Sequence, residues 1–192
     1  MRNETSFYDR EELEALGLAA FGANVLISRR SSFYSPHMIH LGSNVRIDDY
    51  CVVSGGGGLR LGDHVHVASF CALFAGAGIV MGDFSGLSAR VTIFTESDDY
   101  SGASLTNPTV PSEYKPGVQR GEVTIGRHVI VGASTTILPG IALAEGAAIG
   151  AHSLVTKDCD AWTVYFGVPA KRLHRRKRDL LQLERELLSG LR

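Results

Sequence analysis

With 192 residues and a mass of 20.6 kDa, the chain has room for one well-cored domain with short accessory segments at its ends. Its 19 basic and 20 acidic residues leave a net charge of -1, so no global electrostatic reason exists to expect nucleic acid or membrane insertion. Three cysteines without a CxxC spacing, a start unlike a signal peptide and the absence of a long apolar run point to a cytoplasmic protein with free, buried thiols.

The first element is a short helix. In "YDREEL", Asp9 is placed as N-cap with Glu12 three residues on, and Tyr8 and Leu13 stand where a hydrophobic staple forms. Residues 1–20 are therefore expected to be a helical cap over the first repeat unit.

From residue 21 an internal repeat takes over. Apolar-Gly pairs recur every 20 residues at Phe21, Leu41, Leu61 and Met81. Within each period aliphatics recur at sixes, as in Leu61, Val67 and Leu73. That spacing fits neither one helical face nor a long alternating strand. It suits short strands on the three sides of a parallel solenoid, whose stacked coils lie about 4.8 Å apart. The residue two places before each aliphatic should also face inward, which puts Cys51, Cys71, Val65, Val91 and Ala147 in the core. The two residues left over in each period fall at one corner, in "SPHM", "GGGG" and "AGAG".

At that same corner, after Ile93, the repeat breaks into "TESDDYSG" and the chain leaves for a segment rich in Gly, Pro, Ser and Asn. Its bounds are set at 95–121. Long excursions from a rigid scaffold tend to carry function, and Tyr100 and Asn107, aromatic and polar, are the candidates here to bind a substrate. From Ile125 to Val155 the aliphatics run at strict sixes. The leucines at 173, 180, 183, 187 and 188 have near-helical spacing, so residues 173–192 are expected to form a terminal helix. The β-helix itself is placed at 21–172.

"GGGGLRLG" does not read as a phosphate loop, because "AGAGIVMG" repeats it 20 residues later with no helix between. His64 and His128 share one place in their coils, which suits a stacked corner. His66 points outward from a flat face. No three histidines converge, so no metal is expected.

The six-residue units, together with "IGRHVIVGASTTILPGIALAEGAAIGAHSLVTKD" and the closing "GVPAKR", resemble the hexapeptide-repeat acyltransferases. The likeness is to the galactoside, maltose and virginiamycin type and to relatives that decorate bacterial surface polysaccharides. It spans roughly residues 21 to 172. It implies an all-β, left-handed parallel β-helix, a homotrimer with active sites between subunits, and acetyl-CoA as acyl donor. By the same resemblance the backbone at Ala133 and Ala151 holds the pantetheine arm, while Thr156, Lys157, Lys171 and the adjacent Arg172 hold the nucleotide end.

The family's catalytic histidine has its counterpart at Asp98, which is a departure. A carboxylate of ordinary pKa, about 3.9, is a weak base for a hydroxyl. Asp99 beside it could raise the pKa of one member of the pair by like-charge repulsion. His66, reaching across a subunit boundary, is the other candidate base. An amino-sugar nitrogen would need less help, since its neutral form is already nucleophilic. The expected function is acetyl transfer to a sugar hydroxyl or amino-sugar nitrogen, on a free or nucleotide-linked sugar, in synthesis of O-antigen, capsule or other surface polysaccharide. A non-catalytic β-helix scaffold or saccharide-binding protein is the alternative.

Overall fold

The computed structural model describes residues 6–190. The expected end segments reach beyond them, to residues 1–5 and 191–192, which lie outside the described residues.

One coil shows how the aliphatic sixes become structure. Leu59–Leu61 forms a strand on face one, His66–Val67 on face two and Ala72–Phe74 on face three. The chain then climbs to the next coil, where Ile79, Gly86 and Thr92 pair in parallel with Leu59, His66 and Ala72. Repeating this builds parallel stacks on all three faces and a solenoid of about seven turns. The register advances by 20 residues before the excursion and by 18 after it, as Thr124 on Ala142 and Thr136 on Leu154 show, and by 16 onto the last coil, where Ala148 pairs with Val164. The inward residues read from the sixes are buried, including both cysteine ladder positions, with Val65, Val91 and Ala147 fully so.

The corners explain the residues between the strands. At the first corner, between faces one and two, Asn24, Asn44, His64, Phe84, His128 and Trp162 all adopt positive φ, the left-handed turn the corner requires. Their side chains offset that cost by stacking. Asn24 donates to Asn44 at 3.0 Å, the His64 and Phe84 rings lie 4.6 Å apart at 4°, and Phe84 stacks on His128 at 5.4 Å. The second corner repeats the device with Tyr50 and Phe70, stacked at 5.1 Å, and Arg90 over Phe70. The third corner uses Ser35 in the first coil and glycines after it, Gly58, Gly78 and Gly140.

Both ends are closed. The helix Arg10–Ala15 carries the capping box of Asp9 and Glu12, with Leu13 buried. At the other end the outcome differs from the expected helix over 173–192. Lys171–Arg175 turns back as an antiparallel strand on Thr163–Phe166, and the helix runs only over Leu180–Ser189. The physical reason is the open edge of the last coil, whose unpaired backbone groups the returning strand covers. Glu184 then fixes the helix to the first corner, through Arg127 and through His128 Nε2 at 3.0 Å. Burial, then the positive charge of Arg127, holds the His128 pKa below its usual value.

Candidate active site

The excursion is rooted by Thr95, which is fully buried. Its hydroxyl donates to the Phe74 carbonyl at 2.7 Å and accepts from the Ala77 N–H at 2.8 Å, tying the departing chain to the third corner of the coil below. Glu96–Ser97 then pairs antiparallel with Gln119–Arg120, closed by an Arg120–Glu96 ion pair at 3.0 Å. A Cβ on Gly76 would sit 2.6 Å from the Glu96 carboxylate. Glycine at this corner therefore lets the loop itself approach.

Between this ribbon and the loop lies a cavity of about 420 Å³, lined by Glu96, Asp98, Asn107, Pro108, Lys115 and Arg120, among others. Two acids and two bases thus face one space. Asp98 Oδ2 accepts from the Asn107 N–H at 3.1 Å, and Oδ1 has no hydrogen bond among the described residues. Lys115 Nζ donates to the Asn107 carbonyl at 2.8 Å. Glu96, Lys115 and Arg120 were not singled out from the sequence, although opposite charges at the two ends of the excursion were a readable sign of a closing pair.

Asp99 serves a different purpose from its neighbour. Its oxygens accept from the Ser101 N–H at 2.8 Å, the Ser104 N–H at 2.9 Å and the Ser104 hydroxyl at 3.2 Å. These bonds, those from Ser101 foremost, push its pKa down to about 2, opposite to the rise that like-charge repulsion would give. Asp99 thus organises the loop. Tyr100 is 95% exposed and is not among the residues lining the cavity.

His66 is not brought near Asp98 within one chain. It stands on face two, one coil lower, with Nε2 2.8 Å from Asp48 Oδ2. Burial raises the Asp48 pKa, but hydrogen bonds from His66 and Arg46 outweigh it and leave the carboxyl below its usual value.

The expected cofactor residues divide between two corners. Ala133 and Ala151 stack on the second corner, where the Ser134 N–H bonds to the Ala89 carbonyl at 2.9 Å and the His152 N–H to the Ala133 carbonyl at 2.8 Å. Lys171 pairs with Phe166 and Arg172 with Tyr165, on the closing strands above the same corner. Arg172 lies 3.9 Å from Asp160. Thr156 and Lys157 stand at the far end of face three, in the columns of Phe94 and Thr95 and two coils above the loop's root. Among the described residues no group of three or more His, Cys, Asp or Glu stands together as a metal site.

The three-sided parallel solenoid is the fold of the hexapeptide-type acyltransferases, and the chain is of that class. No family model matches it. It is 43% identical over 180 residues to the dTDP-4-amino-4,6-dideoxy-D-glucose acyltransferase of Escherichia coli, covering 93% of each chain, and it belongs to that enzyme's family. AntD, an N-acyltransferase from Bacillus cereus solved with dTDP and 3-hydroxybutyryl-CoA, is 42% identical, with a TM-score of 0.94 over 98% of this chain and 99% of that one. AntD has also been solved with dTDP and coenzyme A as variants at one serine and at one aspartate ten positions further along. A maltose O-acetyltransferase from Clostridium difficile, 20% identical with a TM-score of 0.61 over 93% of this chain and 79% of that one, shares the fold. Among the described residues no helix is long and apolar enough to cross a membrane.

Proposed function

We propose that the protein transfers a short acyl group from coenzyme A to the amino nitrogen of a dTDP-linked 4-amino-4,6-dideoxy sugar, as the names of its relatives indicate for them. Of the alternatives the sequence leaves open, this selects nitrogen over oxygen. It also sets aside a non-catalytic scaffold, and a place in surface polysaccharide synthesis fits such a product.

The observation that carries the reading is a spacing. Ser88 precedes Asp98 by ten positions, the interval between the serine and the aspartate varied in AntD, and no serine stands ten positions before Asp99. Ser88 ends the face-two strand Gly86–Leu87 at the second corner, and Asp98 opens the loop at the third corner of the same coil. The length of face three separates them in one chain. A rotation about an axis parallel to the solenoid keeps each coil at its height, so it can bring Asp98 of one copy against Ser88 of the next. Thr156 and Lys157 would then meet Ala133, Ala151, Lys171 and Arg172 across the same boundary. A head-to-tail contact of this kind closes as a ring, and three copies suit a three-sided prism. Tyr34, Phe74 and Phe94, exposed on face three, would be covered in that ring.

The chemistry needs little from the protein. The neutral amine attacks the thioester carbon, the C–N bond forms, the C–S bond breaks, and the proton lost by nitrogen ends on the departing thiolate. Asp98 Oδ1 accepts an N–H of the amine and aims its lone pair. The Ser88 hydroxyl donates to the carbonyl oxygen as negative charge develops there. Lys115 and Arg120, in the same cavity, offer positive charge to the sugar's diphosphate.

The test is thiol release from acetyl-CoA with dTDP-4-amino-4,6-dideoxyglucose, set beside the same sugar nucleotide bearing a 4-hydroxyl. Release with the amine alone is expected. Equal rates with the hydroxyl compound would overturn the assignment to nitrogen.

A further inference from the structure

Gly86 is the only glycine within a strand among the described residues, and nothing in the chain itself requires it. Its φ lies outside the left-handed region, and a Cβ there would meet only the His66 carbonyl oxygen, at 3.8 Å. The contrast with Gly42 and Gly126 is plain, since a Cβ on either would lie under 3 Å from backbone atoms of the next coil. A strand glycine that neither conformation nor packing explains marks a place where something else approaches the backbone.

Its surroundings say what that is. Gly86 pairs with His66 on the coil below and Ile130 on the coil above. The outer face of the sheet therefore has a notch one side chain wide, about 9.6 Å between the flanking backbones. The notch opens into a groove of about 440 Å³ between face two and the helix Leu180–Ser189, with Phe84, Ile130, Leu183 and Leu187 among its walls. Ile130, Leu183 and Leu187 are each about half exposed, so the groove offers a mostly apolar surface, with His64, His128, Arg176 and Glu184 among its polar members. It does not close, because the helix is held off the sheet by Glu184 on Arg127 and His128, at the groove's own border. Arg176 Nη1 adds bonds to the His128 and Gly146 carbonyls at 2.7 and 3.1 Å. The His66 imidazole, held by Asp48, gives the notch one polar wall.

Gly86 and Ser88 point the same way from the strand and lie about 6.6 Å apart. With the thioester carbon at Ser88, an acetyl methyl ends beside the serine, whereas a four-carbon chain extends over Gly86 into the groove. We propose that the Gly86 notch and the groove beneath the C-terminal helix hold the hydrocarbon part of the acyl group, so that the protein accepts acyl chains of about four carbons. This rests on the reading of Ser88 as the residue at the reacting carbon. His66 on one wall suits a hydroxyl-bearing chain as well as a plain one.

The test uses the full chain with acetyl-CoA, butyryl-CoA and 3-hydroxybutyryl-CoA, the dTDP-linked amine as acceptor and thiol release as readout. The wild type should use both four-carbon donors with kcat/KM within about tenfold of acetyl-CoA. Gly86→Val should lower the four-carbon to acetyl ratio by about tenfold or more, the scale on which a pocket resists added methylenes. Leu183→Trp, filling the groove from the helix side, should do the same. Because Gly86 has ordinary φ and free space, Gly86→Ala should melt with the wild type and shift the ratio in the same direction by less. An unchanged ratio in all three variants, or a wild type confined to acetyl-CoA, overturns the proposal. Calorimetry of butyryl-CoA against acetyl-CoA separates this from failure of the parent reading. Tighter butyryl-CoA binding that Gly86→Val abolishes supports the groove even with a different acceptor, and equal binding in both proteins counts against it.

Discussion

The two ends of face three are built on different principles. At the second corner the coils are held to one another by main-chain bonds between residues far apart in sequence, such as Ser134 to Ala89 and His152 to Ala133. At the third corner the loop is held by its own near neighbours, with Asp99 on Ser101 and Ser104, Asn107 on Asp98, and Thr109 on Asn107. One half of the proposed site is thus part of the stack, and the other half is a local structure standing on it. Changes to the stack should spread through the whole fold, whereas changes to the loop should remain in the loop.

The largest effect expected is on turnover. Asp98→Ala and Ser88→Ala should each lower kcat by about a hundredfold or more while leaving the melting temperature unchanged, the scale of losing one preorganised group at a reacting centre. The two inactive variants sharpen the comparison when they are co-expressed. In mixed rings about one quarter of the sites would pair an intact Asp98 with an intact Ser88 across the boundary, so activity should return to about that fraction. No recovery would mean that each chain completes its own site.

Next comes stability. Phe84 lies between the His64 and His128 rings, so Phe84→Ala removes two aromatic contacts of about 0.5–1.5 kcal/mol each, besides the packing of its ring. Chemical denaturation should register that loss globally. Asp99→Ala should leave the denaturation midpoint in place and speed proteolytic cutting between residues 99 and 117. A matching fall in midpoint for Asp99→Ala would erase the distinction between stack and loop.

A smaller effect concerns coenzyme A. Lys171 sits above the second corner and Lys157 at the third, and both are exposed. Replacing either with Ala should weaken CoA binding a few-fold, as expected for solvent-screened charges on a phosphate. Calorimetry on the double variant settles it, since unchanged affinity would remove both residues from the cofactor site.

Legibility in the sequence divides along the same line. The coils, the inward cysteines, the stacked corner of His64 and His128 and the position of the excursion were legible, because a stacked residue repeats its environment every 18 or 20 positions. Periodicity carries no information where the period stops. The Glu96–Arg120 ribbon, the inward side of Asp98 and the outward side of Tyr100 depend on local bonds with no repeat. The expected helix starts too early because Leu173 happens to fit the leucine spacing, while the pull of an open sheet edge on Lys171–Arg175 leaves no periodic trace. Ser88 and Gly86 are hidden for another reason. Each is a small residue where the repeat tolerates small residues, and only the burial, spacing and emptiness around them set them apart.

Acid gives the mildest and most selective test of the division. The Asp99 carboxyl has a folded pKa of about 2, against about 3.9 in an unfolded chain, because its ionised form accepts the bonds from Ser101 and Ser104. A lowered pKa means the ionised form favours the ordered loop. That contribution is complete above about pH 4 and is lost as pH falls from there through about 2. Between residues 59 and 94 the buried side chains of the stack are aliphatic apart from Cys71 and Ser85, and neither of those changes charge between pH 4 and 2. Hydrogen exchange followed by mass spectrometry, corrected for the intrinsic pH dependence of exchange, should therefore show residues 99–107 losing protection between pH 4 and 2 while residues 59–94 keep theirs. In Asp99→Asn the loop should exchange faster at pH 5 and lose this acid dependence. If the two segments lost protection together, the loop would be anchored to the stack by more than its own hydrogen bonds.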